Sequence, residues 1–172
     1  MDDKQSSTFV KLVMERCHGS QDKGYRAKLR KGENPNTEYY CWDILSSYVN
    51  LEYPDDRRVY ALIGADIANR DVTVDGEYGL GEALAMAYQD HEHSKDDTGP
   101  GGARLRRLLA CQNRKDLLLV LPSLLHLLRS KGITINHSRL LEEVFWFDRE
   151  DSRERTRSLW AKQFYHDWRG ES

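Results

Sequence analysis

The chain has 172 residues, of which 39% are hydrophobic and 31% charged, and its formal net charge at pH 7 is −2. This composition is typical of a soluble globular protein and excludes an intrinsically disordered one. The small negative charge means that any affinity for nucleic acid must come from local basic patches. The sequence contains no apolar run of about 18 residues, so it predicts no membrane-spanning helix. It also contains no signal-peptide pattern.

Apolar residues at helical spacing predict five helices before residue 90. The predicted helices begin at Ser7 or Thr8, cover Lys23–Lys31 and Thr37–Val49, begin again at Tyr53-Pro54, and cover Leu80–Tyr88. The third is too rich in aromatic and aliphatic residues for a single apolar stripe, so we expect it to be buried on more than one side. Residues 69–79 are predicted as a loop, although Val72–Val74 would allow a short strand.

The region Ala103–Trp168 predicts four more amphipathic helices, because its leucines and aromatic residues recur in steps of three and four. Pro122 lies inside the leucine run, so that helix is expected either to kink there or to begin near Val120. The predicted helix-boundary signals are Gly132 as a stop, Asn136 as an N-cap, and Asp151 with Glu154 as a capping box. Strand signals are too few for a sheet, and the predicted fold class is all-α.

A polar segment, residues 91–102, ends in Gly99-Pro-Gly-Gly102 and is the strongest candidate for a domain boundary. It predicts two small helical bundles joined by a Gly-rich loop. The predicted N-terminal bundle covers residues 1–98, and the predicted C-terminal bundle covers residues 99–172.

The cysteines indicate a reducing compartment. Cys17, Cys41 and Cys111 are odd in number and widely spaced. Disulfides are rare in a cytoplasm, where such cysteines are usually small buried side chains. We therefore expect reduced thiols and a cytoplasmic protein.

Two acid-free basic segments are the candidate functional residues, at 23–31 and 103–115. The candidate nucleic-acid-binding residues are Arg26, Lys28, Arg30 and Lys31 in the first segment, and Arg104, Arg106, Arg107, Arg114 and Lys115 in the second. Arginines clustered on a helical face can contact phosphates without reading any base. A solvated helix face is the alternative interpretation of each cluster taken alone.

Other charged and aromatic residues have simpler interpretations. Arg153, Arg155 and Arg157 alternate with acids, which favours pairing within one helix. Arg129 precedes Gly132 and is expected to complement the helix C-terminus. The tryptophans and Phe164 are expected in the core, except that Phe145-Trp146-Phe147 cannot all face inward from one helix.

An enzyme and a protein-only scaffold are the competing function classes. His91, Glu92 and His93 lie among aspartates, but the segment lacks the H-E-x-x-H spacing of a zinc site. The sequence contains no G-x-S-x-G elbow and no P-loop. We therefore expect no catalytic residue, no metal and no cofactor. A helical scaffold or regulator that binds only protein would explain the helices equally well, and the basic clusters argue against it.

Several segments together resemble one known family, over roughly Gln21 to Trp168. The matching segments are Arg26–Lys31, Gly79–Ala85, Arg104–Leu109 with Arg114, Leu124–Gly132, Arg139–Leu141 and Trp160–Tyr165. They resemble the small subunit (CasB family) of the type I-E CRISPR Cascade surveillance complex. Lys31 departs from the family pattern, which prefers arginine there, and Asp90–Asp97 has no counterpart in it.

This resemblance implies a non-catalytic subunit of an RNA-guided antiviral DNA-surveillance complex. The implied partners are other Cascade subunits, a second copy of the chain, the CRISPR RNA and both strands of the target DNA, with no membrane. The implied role is to stabilise the guide–target heteroduplex and the displaced strand of the R-loop. Such systems leave sequence reading to base pairing, so the protein needs only charge and shape along a backbone path.

Overall fold

A computed structural model describes residues 3–18, 22–89 and 99–166, and within these ranges the chain is helical, with no strand. The helices are α1 Asp3–Cys17, α2 Lys23–Arg30, α3 Trp42–Leu45, α4 Pro54–Arg70, α5 Leu80–Ala87, α6 Pro100–Leu109, α7 Arg114–Ser130, α8 His137–Phe145 and α9 Glu150–Tyr165. Two 3₁₀ turns, Lys31–Glu33 and Glu38–Cys41, lie between α2 and α3. The all-α prediction is confirmed.

Helix α4 lies at the centre of the fold. Every residue from Val59 to Ala68 is buried, because small and aliphatic side chains occupy all of its faces and allow neighbours to pack all round. Helices α1, α2, α7 and α8 pack against it. Pro54 begins α4 as predicted, with Asp55 and Asp56 near the positive end of the helix dipole.

Helices α5 and α9 pack closely against each other. A Cβ atom on Gly81 would overlap the carbonyl oxygen of Trp160, so only glycine permits this approach. The amide of Gly81 donates to Gln163 Oε1 at 3.1 Å. Buried apolar residues from both sides of residue 98 form one continuous core. The division into bundles of residues 1–98 and 99–172 stays a prediction about independent folding.

Local boundary signals in the second half are mostly confirmed. Gly132 has a φ of 68°, and the amides of Gly132 and Ile133 donate to the carbonyls of Arg129 and Leu128 at 3.0 and 2.9 Å. This is the hydrogen-bond pattern of a glycine-terminated helix. Asn136 caps α8 by accepting from the Arg139 amide at 2.8 Å.

Other predicted boundaries are wrong. Helix α1 is already formed at Asp3, ahead of the predicted caps Ser7 and Thr8. Helix α9 begins at Glu150, and its N-cap residue Arg149 makes no side-chain capping bond, so the capping box predicted at 151–154 does not form. Of the two alternatives predicted for α7, a start near Val120 is wrong, because the helix begins at Arg114. The Asn113 side chain caps its first turn by accepting from the Asp116 amide at 2.9 Å, which places Pro122 in the helix interior.

The predicted helix Thr37–Val49 is also wrong. The segment forms the 3₁₀ turn Glu38–Cys41 and the single turn α3 instead. The buried Glu38 carboxylate pairs with Arg57 at 2.8 Å and with Arg58 at 3.3 Å, both on α4. These tertiary contacts outweigh the local helical pattern. Tyr40, which that pattern placed among the buried residues, is about half exposed, as is Tyr39.

The core contains the predicted thiols and most of the predicted aromatic residues. All three cysteines are free and buried, and burial raises the pKa of both Cys17 and Cys41 to about 11. Trp160, Phe164 and Phe147 are fully buried, whereas Trp42 and Trp146 are half-buried. Trp168 lies outside the described residues. No described helix is both long and apolar enough to cross a membrane.

Candidate nucleic-acid interface

Arg104 and Arg107 line a groove between α6 and α7. The groove has a volume of about 290 Å³, and its other lining residues are Ala103, Val120, Ser123 and Leu124. Helix α6 buries Leu105 and Leu108 on its inner face, so the arginines fall on the outer part of the helix. No described carboxylate forms an ion pair with either guanidinium. An anionic ligand in the groove would therefore displace no described carboxylate from these two groups.

Arg106 and Lys115 add exposed basic side chains near the ends of α6 and α7. The Lys115 ammonium lies 3.9 Å from the Asp55 carboxylate, and the two side chains are 75% and 41% exposed. An exposed pair at this distance contributes little to stability. Lys115 can therefore exchange this contact for a phosphate at small cost.

Arg114 differs from the rest of its cluster. Its side chain is only 11% exposed and pairs with Asp56 at 2.8 Å and with Asp148 at 3.3 Å. It also donates to the carbonyl oxygen of Phe145 at 3.0 Å. These contacts join the start of α7 to α4 and to the end of α8, which is a structural role. Its predicted contact with nucleic acid stays a prediction.

Arg26 and Arg30 point to the C-terminal end of α4. Their Nε atoms donate to the same acceptor, the carbonyl oxygen of Ala68, at 2.8 and 3.2 Å. Arg26 also pairs with Asp71 at 3.2 Å. Cations at this position complement the negative end of the helix dipole. The two arginines therefore project together from one face of α2, while Tyr25 and Leu29 are buried on another face.

Lys28 and Lys31 complete the first cluster. The Lys28 ammonium pairs with the Asp43 carboxylate at 2.5 Å, with both side chains about half exposed. This contact lowers the pKa of Asp43. Lys31 is exposed, with its Nζ atom 6.0 Å from the ring centroid of Tyr40.

The two predicted clusters belong to different parts of the fold. Helix α2 packs against α1 and α4, whereas α6 packs against α5, α7 and α9. Within the clusters, Arg104 and Arg107 line one groove, and Arg26 and Arg30 share the Ala68 carbonyl oxygen. A shared backbone path across both clusters stays a prediction.

The predicted pairing of basic residues on α9 is confirmed for Arg157, which binds Glu154 at 2.8 Å. Arg157 also donates to the carbonyl oxygen of Cys111, so it links α9 to the end of α6. Arg155 donates to the carbonyl oxygen of Asp151 within its own helix, at 3.2 Å. These two arginines therefore make contacts within the protein, as the alternation with acids predicted for this segment.

A buried charge network escaped the sequence analysis. Asp66, near the C-terminal end of α4, accepts from Arg70 at 2.6 Å and from Arg129 at 2.8 Å, and lies 2.9 Å from His137 Nε2. His137 Nδ1 lies 3.1 Å from Asp75. Only the spacing of Asp66 and Arg70, four residues apart, could have signalled it.

This network joins three helices, α4, α7 and α8, and shifts the pKa of two of its buried members. Burial opposes a charge on His137, but hydrogen bonds to Asp66 and Asp75 outweigh burial and raise the pKa of its imidazole. Burial likewise opposes the charge on Asp66, and His137 and Arg70 reverse that effect and lower its pKa. Arg129 therefore holds α7 against α4, in addition to lying near a helix C-terminus as predicted.

No group of three or more His, Cys, Asp or Glu side chains within the described ranges could hold a metal ion. The histidines weighed as ligands in the sequence, His91 and His93, lie outside the described residues. The structure therefore does not address that segment.

Several solved structures share this fold. A CRISPR-associated protein of the Cse2 family from Thermus thermophilus is 18% identical with a TM-score of 0.69, over 93% of this chain and 97% of that chain. A chain of a CRISPR RNA-guided surveillance complex is 21% identical with a TM-score of 0.68, over 95% and 91% of the two chains. CasB from M. ruber is 21% identical with a TM-score of 0.65, over 94% and 92%.

A search of curated proteins finds no match to the sequence. The family model described as CRISPR-associated protein Cse2 matches residues 25–165. This range contains both basic clusters and every helix from α4 to α9. The match confirms the resemblance that the basic and apolar segments indicated. The chain belongs to the Cse2 (CasB) family of CRISPR-associated proteins.

Proposed function

We propose that this chain is a non-catalytic, nucleic-acid-binding subunit of a type I-E CRISPR surveillance complex in the cytoplasm. It stabilises the guide–target heteroduplex and the displaced strand through its basic helix faces. The observation that carries the proposal is the groove between α6 and α7, where Arg104 and Arg107 lack carboxylate partners in the described chain. Membership of the Cse2 family and the fold shared with a chain of an RNA-guided surveillance complex support it.

The chemistry of the groove suits a phosphate backbone. Two guanidinium groups three residues apart on one helix supply charge-assisted donors that need no base-specific geometry. An RNA-guided assembly reads sequence by base pairing, so its protein subunits need to recognise only charge and shape. Lys115 and Arg106 extend the positive surface beyond the groove. Arg30 and Lys31 supply a second basic surface on the N-terminal half.

The partners of the chain are part of the proposal. Other subunits of the complex, a second copy of this chain, the CRISPR RNA and both target strands would contact it. We expect self-association to be weak in isolation and firmer within the assembly, because transient interfaces are small.

The proposal is tested by reconstituting the surveillance complex with and without this chain and following R-loop lifetime and nuclease protection of the displaced strand. The complex with the chain should hold the R-loop longer and protect that strand. A matched complex carrying Arg104→Ala with Arg107→Ala should lose much of this protection and retain its subunit composition. Equal R-loop lifetimes with and without the chain would instead support the alternative, a protein-only scaffold.

A further inference from the structure

Tyr39 and Tyr40 form a stacked aromatic pair on the surface. Their ring centroids lie 4.5 Å apart, with 27° between the ring planes. The two residues are 54% and 50% exposed. The sequence pattern placed Tyr40 in a buried helix, so its exposure is a product of the tertiary structure. Each ring covers one face of the other, so the pair offers an outer ring face and the ring edges to solvent.

Buried residues on both sides hold this pair in place. Glu38 is 5% exposed, and its carboxylate accepts from Arg57 at 2.8 Å and from Trp42 Nε1 at 3.2 Å. Cys41 is fully buried, and its thiol donates to the Glu38 carbonyl oxygen at 3.0 Å. A turn anchored at its first and last residues fixes the two tyrosines between them. A preformed aromatic surface of this kind loses little entropy when a ligand binds.

The charge beside the pair is positive. Lys31 Nζ lies 6.0 Å from the Tyr40 ring centroid, within the range of a cation–π contact. The single charge of Glu38 is shared by two arginines of α4, Arg57 and Arg58. The nearby Glu33 carboxylate pairs with Arg129 at 3.3 Å. This aromatic and basic surface therefore favours a polyanion that carries flat rings.

We propose that Tyr39 and Tyr40 form a stacking platform for an unpaired base of single-stranded nucleic acid, with Lys31 contacting an adjacent phosphate. Aromatic stacking tolerates any base, because every base has a π face. The inference rests on the proposed function and adds base stacking to it, a contact that does not depend on counterion release. It assigns the N-terminal half a role for unpaired bases, beside the phosphate contacts of α6.

The test measures binding of the full-length protein to a fluorescent single-stranded oligonucleotide and to a matched strand of abasic sites, over a range of salt concentrations. Tyr39→Ala with Tyr40→Ala should weaken binding to the base-containing strand by about tenfold, as expected for loss of one stacked base. The slope of log affinity against log salt should stay unchanged, because no phosphate contact is lost. The same variant should bind the abasic strand as the wild type does.

Three further variants separate the effect of the aromatic rings on binding from any effect on folding. Tyr39→Phe with Tyr40→Phe retains the rings and should bind as the wild type does, whereas Tyr39→Leu with Tyr40→Leu should lose affinity as the alanine variant does. Tyr53→Ala removes another tyrosine, 60% exposed, and should have no effect. Matching thermal melts would show that the fold is intact.

Three outcomes would overturn the inference. One is an unchanged affinity of the alanine variant for the base-containing strand, and another is an equal loss on the abasic strand. The third is unchanged DNA binding with loss of assembly into the complex, which would make the pair a protein interface. The proposed function would survive these results. Absence of salt-sensitive binding by the wild type to every nucleic acid would contradict the proposed function itself.

Discussion

The arginine pair on α6 gives the sharpest expected effect. Replacing Arg104 and Arg107 with alanine removes two guanidinium groups from one groove and leaves Leu105 and Leu108, the buried residues of the same helix, in place. Each lost charge-assisted phosphate contact at an exposed site should cost about 1 kcal/mol. The pair should therefore cost about 2 kcal/mol, which weakens binding to single-stranded DNA about 30-fold at constant salt.

The salt dependence supplies a second readout of the same change. Each phosphate contact on a single strand contributes about 0.7 to the slope of log affinity against log salt, so the double variant should lose about 1.4 units of slope. Fluorescence anisotropy at four or more salt concentrations measures both quantities. Circular dichroism should show unchanged helix content, because alanine is the strongest helix former.

A charge-matched control is available on α9. Arg155 and Lys162 are exposed, and Arg155 only bonds to a carbonyl of its own helix. Replacing both with alanine removes two positive charges from a different surface and should change affinity little. Equal losses in the control and in the α6 variant would show that net charge, not the groove, governs binding. Unchanged affinity and slope in the α6 variant would refute the reasoning outright.

Three stability predictions follow from the core, each measured by chemical denaturation. Burial raises the pKa of Glu143 to about 7 from an ordinary 4.5, so its charged form should destabilise the folded state by about 3 kcal/mol above pH 7. Glu143→Gln should therefore raise the free energy of unfolding at pH 8 and give a gain that shrinks toward pH 4.5; an equal gain at both pH values would contradict this. Asp66→Asn removes the carboxylate that Arg70, Arg129 and His137 share and should cost about 3–5 kcal/mol; a loss below about 1 kcal/mol would count against the network. Gly81→Ala forces a Cβ into the backbone of Trp160 and should cost at least about 1–3 kcal/mol, whereas Gly24→Ala, with open space around it, should be neutral or stabilising.

Local patterns predicted much of the helical framework. The leucines of α7 recur in steps of three and four, and Leu121, Leu124, Leu125 and Leu128 are all buried. Gly132 ends this helix because its left-handed backbone conformation suits glycine. These features depend on residues close together in the sequence, so spacing alone reveals them.

Contacts between distant residues explain what spacing did not predict. Glu38 disrupts a helical pattern because its partners lie 19 and 20 positions away on α4. Asp66 and His137 are separated by 71 positions. No period in the sequence encodes such pairs.

The basic cluster of α6 and α7 shows the same limit within the candidate site. Arg104, Arg107 and Arg114 look alike in sequence, but only Arg114 meets two carboxylates from other parts of the fold. The sequence predicted a basic surface. The structure distinguishes Arg114, which pairs with carboxylates of the fold, from Arg104 and Arg107, which line the groove. Each segment that resembles the family is unspecific by itself. Together they identified the family, because they occur in the same order and extend over most of the chain.

The most direct test of the account is the salt dependence of nucleic-acid binding by the wild-type chain. Single-stranded DNA, duplex DNA and RNA, each with a scrambled counterpart, should be titrated across salt concentrations. The account predicts a linear fall of log affinity against log salt, with a slope of several units and no preference between a sequence and its scramble. Salt-insensitive binding, a strong preference for one sequence, or no binding to any of the three would contradict it.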